Sequence, residues 1–162
     1  MILYLDTSSL VKLYVDEDCS EIVREWVEEA EVVATSRVTY PEALSVFARR
    51  WNRGDLTDEE MSLARESFAG DWPVFLLLPV DERRAGGLVI EHLLRGFDAV
   101  HLAAAKNLAE LFPAEEAVFS SFDAALLRAA RSEGLSTLHP TVREGFVMEE
   151  SDLALDSDVY IL

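Results

Sequence analysis

The chain has one cysteine, Cys19, in 162 residues. A lone thiol excludes an intramolecular disulfide and any zinc centre built on paired thiolates. Bases are scarce: 14 Lys and Arg stand against 31 Asp and Glu, for a formal net charge of −17. That balance argues against a broad basic face gripping nucleic acid through many phosphates. Long apolar runs are missing as well. The longest, Val74 to Leu78 with Val80 beyond Pro79, is far short of the ~20 residues a membrane helix requires. The opening Met1-Ile2-Leu3-Tyr4-Leu5-Asp6 has no basic region and meets a carboxylate too early for a secretory signal. The expectation is a soluble cytoplasmic protein with no membrane partner. What is present in quantity, 50% hydrophobic residues with 28% charged, is the balance of one globular domain, and it excludes disorder over the whole length.

Short β-branched or leucine-rich runs alternate with stretches of helical period, which predicts parallel βαβ units. The expected strands are Ile2–Leu5, Val32–Thr35, Val74–Leu78, Val118–Ser120 and a weaker Ser136–Leu138. Between the first two, Ile22, Val23, Trp26 and Val27 recur at helical spacing opposite Glu21, Glu25, Glu28 and Glu29. A long helix after Thr35 carries Val38, Ala43, Leu44, Phe47 and Trp51, and Gly54 is placed to end it in the left-handed conformation. Thr57-Asp58-Glu59-Glu60 reads as a capping box opening a helix toward Asp71. Further helices are expected over Glu82–Leu94, weakened by Gly86-Gly87, over Asp98–Leu111, and from Asp123 to about Ser132. The compositional break at Pro140 divides the chain into a domain, 1–140, with net charge −12, and an acidic extension, 141–162, with net charge −5.

In an open parallel sheet the active site lies at the carboxyl ends of the strands, so acids placed there matter most. Asp6 ends the first strand and Asp123 follows the fourth. Either can be a helix N-cap, with Thr7 an alternative at the first site. Two strand-end acids on adjacent crossovers nonetheless favour a common crevice. Glu42 sits mid-helix at the margin of an apolar stripe, with Val38 and Val46 one turn away on either side. A salt bridge to Arg49 or plain exposure explains it, or else a cation does, since burying an unpaired carboxylate costs several kcal/mol. Asp98 shares a helical face with His101, Leu102 and Ala105, and His101 reads more readily as a hydrogen-bonded core histidine than as a metal ligand. Four carboxylates with neither cysteine nor a histidine pair make an oxygen-only donor set. It suits Mg²⁺ or Mn²⁺ and the phosphoryl chemistry such ions support.

Leu5-Asp6-Thr7-Ser8-Ser9-Leu10-Val11-Lys12-Leu13-Tyr14, Tyr40-Pro41-Glu42-Ala43, Phe97-Asp98-Ala99-Val100-His101-Leu102-Ala103 and Ser121-Phe122-Asp123 together resemble the PIN-domain family in order and context. The likeness is greatest to the VapC-type toxins of toxin–antitoxin pairs, and it covers residues 1 to about 140. The resemblance implies a three-layer α/β/α fold around a parallel sheet of about five strands, and a metal-dependent endoribonuclease. It implies that Asp6, Glu42, Asp98 and Asp123 bind Mg²⁺ or Mn²⁺, with Ser8 and Ser121 supporting the acids or their waters. It further implies an RNA substrate, a homodimer, and a small antitoxin partner whose tail enters the groove. Two features depart from the family pattern: the extension from Thr141 to Leu162, and the Phe112-Pro113-Ala114-Glu115-Glu116 segment between Asp98 and Asp123.

One basic island stands out. Residues 37–54 hold Arg37, Arg49, Arg50 and Arg53 against Glu42 alone, and Trp51 lies among them. Guanidinium groups beside an aromatic face can hold phosphates and stack bases of single-stranded RNA. The same residues also make sense as a basic last helical turn with Trp51 continuing the stripe of Phe47. Two other function classes compete with the nuclease. One is a catalytically silent PIN-like module acting through a protein or RNA partner, which the presence of all four acids disfavours. The other is an aspartyl-nucleophile phosphatase, which usually needs a second acid two residues on, where Ser8 stands.

Overall fold

The computed structural model describes residues 1–140. Strands and helices alternate as β1 (Ile2–Leu5), α1 (Thr7–Leu10), α2 (Ser20–Glu29), β2 (Val32–Ser36), α3 (Thr39–Arg53), α4 (Asp58–Asp71), β3 (Leu76–Leu78), α5 (Glu82–His92), α6 (Gly96–Leu111), β4 (Ala117–Ser120), α7 (Ala124–Ser132) and β5 (Ser136–Leu138). The strands form one sheet in the order β3-β2-β1-β4-β5, every neighbouring pair parallel. This is the five-stranded α/β architecture anticipated from the alternating pattern.

β1 is the centre of the molecule. All four of its residues are buried, so it reads as a continuous apolar run rather than an alternating one. Its side chains divide between the two faces of the sheet. Ile2 and Tyr4 join a core with Leu88, Leu102, Leu108, Leu126 and Ala130 of α5, α6 and α7. Leu3 and Leu5 join a second core with Leu10, Val23, Trp26, Phe47 and Phe68 of α1 to α4. Helices cover both faces because neither face of β1 can be left in water. α6 is buried almost all round, from Ala99 to Ala105 and again at Leu108, and Ala103-Ala104-Ala105 let it lie close against β2 and β4.

Several local signals act as expected. Gly54 ends α3 at φ +81°, with its N–H returned to the carbonyls of Arg50 and Trp51. Thr57 and Glu60 form the reciprocal capping box that starts α4. Other boundaries move. β3 begins at Leu76 instead of Val74, because Trp72–Val74 is a tight 3-10 turn around Pro73, which has no N–H to give a sheet; Val74 is 83% exposed. α5 stops at His92 with Leu93 in the left-handed region, while Gly86 and Gly87 lie inside it. α3 starts at Thr39, which puts Glu42 in its first turn and not at mid-helix. α6 starts at Gly96, which puts Asp98 in the first turn. Trp51 leaves the apolar stripe: it is 48% exposed, and its indole N–H donates to Asp58 Oδ1 at 2.7 Å. The acidic extension 141–162 lies outside the described residues. Among the described residues no helix is long and apolar enough to cross a membrane.

Candidate active site

From β1 the chain builds the sheet outward through β2 and β3, then returns to place β4 and β5 on the other side. The order therefore reverses between β1 and β4, and the crevice beyond the carboxyl ends of two such strands is where open α/β sheets bind ligands. Asp6 is the residue after β1, and Asp123 closes the short loop after β4.

Asp6 is buried at the head of α1. Its Oδ1 accepts the Ser9 N–H at 2.9 Å, so it is the N-cap of that helix. The Ser8 hydroxyl lies 2.7 and 3.0 Å from its two carboxylate oxygens, and the Ser121 hydroxyl donates to Oδ2 at 2.8 Å. Ser8 also ties the two loops together, its Oγ accepting the Phe122 N–H at 2.8 Å, while Ser121 Oγ accepts the Asp123 N–H at 3.0 Å within its own loop. Behind them Ser9 and Ser120 join hydroxyls at 2.9 Å. Burial pushes the Asp6 carboxyl above its ordinary range, while the bonds from Ser9, Ser8 and Ser121 pull against that rise.

Asp123 caps α7, accepting the Leu126 N–H at 2.8 Å. Asp98 enters from the first turn of α6, half-buried. Burial, then the negative charges of Asp123 and Asp6, push its carboxyl up to about 6, against the pull of Arg95. The three acids thus share one electrostatic environment although their residues are far apart in sequence.

Glu42 reaches the site from α3, with 23% of its side chain exposed. Thr7 Oγ1 donates to its Oε2 at 2.5 Å, and His101 Nε2 lies 2.9 Å from the same oxygen. Burial opposes its ionisation, but the bonds from His101 and Thr7 prevail and hold the carboxyl below its ordinary range. Arg49, the ion-pair partner considered from sequence, donates to Ser45 Oγ at 2.7 Å and attracts Glu42 only at longer range. Sequence reasoning missed Thr7 as a partner of Glu42, and missed Tyr4, whose hydroxyl lies 3.0 Å from His101 Nδ1.

The donor set fits a hard divalent cation. It is carboxylate and hydroxyl only, and the share of the Asp98 elevation that Asp123 and Asp6 add to burial is repulsion that a cation between them would relieve. No three ligand atoms of Asp6, Glu42, Asp98 and Asp123 lie within 4.8 Å of one another. Among the described residues that spacing is met by Glu91, His92 and Glu133, and there the Lys106 ammonium already pairs with Glu133. The basic island is also partly neutralised: Arg50 pairs with Glu17, which Lys12 contacts at 2.6 Å, and Arg53 pairs with Asp55 at 3.1 Å.

The family model for the PIN domain matches residues 3–132. Ribonuclease VapC45 of Mycobacterium tuberculosis (strain CDC 1551 / Oshkosh) is 36% identical over 108 residues, 64% of this chain and 74% of the relative. Ribonuclease VapC47 of the same strain is 31% identical over 144 residues, covering 85% and 96%. In fold, the chain is similar to FitAcB from Neisseria gonorrhoeae (TM-score 0.60, 20% identity, 86% of this chain and 98% of that one). It is likewise similar to PAE2754 from Pyrobaculum aerophilum (TM-score 0.60, 19% identity, 85% and 83%). The matched span runs from β1 to the end of α7 and contains all four carboxylates, and on that ground this chain belongs to the PIN-domain family, among its VapC-type members.

Proposed function

We propose that this chain is a divalent-metal-dependent endoribonuclease, the toxin of a toxin–antitoxin pair, which hydrolyses RNA phosphodiester bonds with water as the nucleophile. The observation that carries the reading is the convergence of Asp6 and Asp123 on the strand-order reversal, with Asp98 close enough that their charges add to burial in raising its carboxyl. In this reading Asp6, Glu42, Asp98 and Asp123 hold Mg²⁺ or Mn²⁺. Such an ion, when bound, acidifies water and offsets the charge gathering on a phosphate under attack. The chain's own contribution is orientation. Ser8, Ser9 and Ser121 fix the Asp6 carboxylate from three sides, and Thr7 and His101 keep Glu42 ionised and held at one oxygen.

Support for RNA as the substrate comes from the ribonuclease names of the relatives. The exposed face of Trp51, flanked by Arg49, Arg50 and Arg53, offers stacking and phosphate contacts on the helix that carries Glu42. The same reading includes a homodimer, a small antitoxin with a cationic tail that complements an anionic groove, cytoplasmic action, and a catalytic unit of residues 1–140 followed by the acidic extension 141–162. The test compares wild type, Asp6→Asn and Asp98→Asn on RNA with EDTA, Mg²⁺ or Mn²⁺. Metal-dependent cleavage by wild type alone is expected. Equal cleavage by all three proteins, or cleavage undiminished by EDTA, would reject the assignment.

A further inference from the structure

His101 is buried, on the first two turns of α6, yet neither of its ring nitrogens turns back to Asp98, its neighbour on the helix face. Nε2 meets Glu42 Oε2 at 2.9 Å and Thr7 Oγ1 at 3.1 Å; Nδ1 meets the Tyr4 hydroxyl at 3.0 Å. For a neutral imidazole these contacts leave little freedom in where the protons lie. An ionised carboxylate can only accept, so Nε2 carries a hydrogen and donates it to Glu42. Tyr4 is buried and keeps its phenolic proton, because burial and the charges of Asp6 and Glu42 oppose its ionisation. Its O–H therefore has the bare Nδ1 lone pair as acceptor. The result is a one-way chain of donors from β1 through α6 to α3, ending on a single oxygen of Glu42. Thr7 donates to that same oxygen. Both donors land on Oε2, and Oε1 receives no hydrogen bond from the described residues.

We propose that His101 is a positioning residue, locked by Tyr4 in the Nε2–H tautomer, which holds Glu42 by Oε2 so that Oε1 is presented to the cation. This rests on the reading of Glu42 as a metal-holding carboxylate given above. The imidazole acts by orientation and takes no part in moving a proton. Partners that orient a ligating carboxylate typically govern metal affinity by 10- to 100-fold.

Nitrogen NMR of histidine-labelled, metal-free protein reads the tautomer directly. His101 should show a protonated Nε2 and a bare Nδ1, and Tyr4→Phe should weaken that preference. Titration with Mn²⁺ alone then measures affinity. His101→Leu should lose about 10- to 100-fold. His101→Gln, whose amide nitrogen can donate from nearly the same place, should recover most of it. A protonated Nδ1 in wild type would overturn the proposal, as would wild-type Mn²⁺ affinity in His101→Leu. Equal loss in the Leu and Gln variants would also overturn it, because that marks packing alone. The tautomer measurement requires no substitution and decides the matter even if His101→Leu does not fold. Asp98→Asn in the same Mn²⁺ titration separates the two levels: if it binds Mn²⁺ as wild type does, the metal site itself is misassigned, whereas its loss beside an unaffected His101→Leu sinks only the positioning role.

Discussion

Replacing Asp98 with Asn should make the metal-free protein more stable while abolishing its chemistry. In the folded chain burial and the charges of Asp123 and Asp6 raise the Asp98 carboxyl from 3.8 to about 6. The folded state then holds the proton more tightly than the unfolded chain, so stability is greatest below the unfolded value, declines as pH rises through the window from about 4 to about 6, and stays reduced above it. At 1.36 kcal/mol per unit the ceiling is about 3 kcal/mol. Asp98 is only half-buried, and screening by water brings the working figure to about 1–2 kcal/mol. Asparagine removes the charge and with it the penalty. Thermal unfolding in EDTA near neutral pH should place Asp98→Asn a few degrees above wild type, on the order of 3–6 °C for a domain of this size. The gap should narrow as pH falls through the window and close below about pH 3, where the wild-type carboxyl is protonated in both states. Excess Mn²⁺ should reverse the order, since an ion at a hundred times its dissociation constant stabilises only the protein that binds it, by about 2.7 kcal/mol. A variant less stable than wild type in EDTA across this range, or a gap that does not change with pH, would refute the shared-field reasoning.

Glu17 is the common partner of Lys12 and Arg50. Glu17→Ala leaves a buried ammonium facing a guanidinium and should cost about 3–5 kcal/mol in urea unfolding, whereas a loss under 1 kcal/mol would mean that water already compensates Lys12. Trp51→Ala should lower affinity for single-stranded RNA by about 1–3 kcal/mol in fluorescence anisotropy with EDTA present. Its stability should change by no more than about 0.5 kcal/mol, since the ring is half-exposed; unchanged affinity would remove Trp51 from the RNA surface. Gly54→Ala forces a side chain into φ +81° in otherwise open space, so the cost is backbone strain alone, about 1 kcal/mol in denaturant unfolding.

The strand-helix alternation was legible because each strand is a short apolar run and each amphipathic helix keeps its period. Asp6 and Asp123 were legible for a topological reason: they follow strands, and parallel sheets put their sites there. The features that escaped the sequence depend on contacts across the fold. His101 lies 97 positions from Tyr4 and 59 from Glu42, and helical spacing relates it only to Asp98, Leu102 and Ala105 on its own face. Thr7 was visible as a capping candidate, but its hydroxyl goes to Glu42, 35 positions on. Boundary errors have local causes. Gly86-Gly87 weakened the expected helix yet lie within α5, and the stop comes at His92, short of the expected Leu94, with Leu93 in the left-handed region and no glycine to announce it. Pro73 holds Val74 out of a strand that its side chain would otherwise suit.

The charge of −17 first argued against RNA, and the geometry sharpens what kind of RNA contact is compatible with it. Arg50 and Arg53 in the basic island already face Glu17 and Asp55, and the Trp51 indole is bonded to Asp58. A phosphate arriving there has to compete with these carboxylates, so the number of counterions it displaces is small. For single strands the logarithm of affinity falls with the logarithm of salt by about 0.7 per phosphate neutralised. Two or three effective contacts give a slope of about −2, and base stacking on Trp51, insensitive to salt, makes up much of the rest. RNA held mainly by one aromatic platform and a few guanidinium groups would be bound weakly and released readily, which suits an enzyme that must let go of both cleavage products. Anisotropy titrations at several salt concentrations in EDTA measure the slope. A value near −6 would mean that a wide basic surface holds the RNA after all, and would refute the charge reasoning together with the assignment of the island.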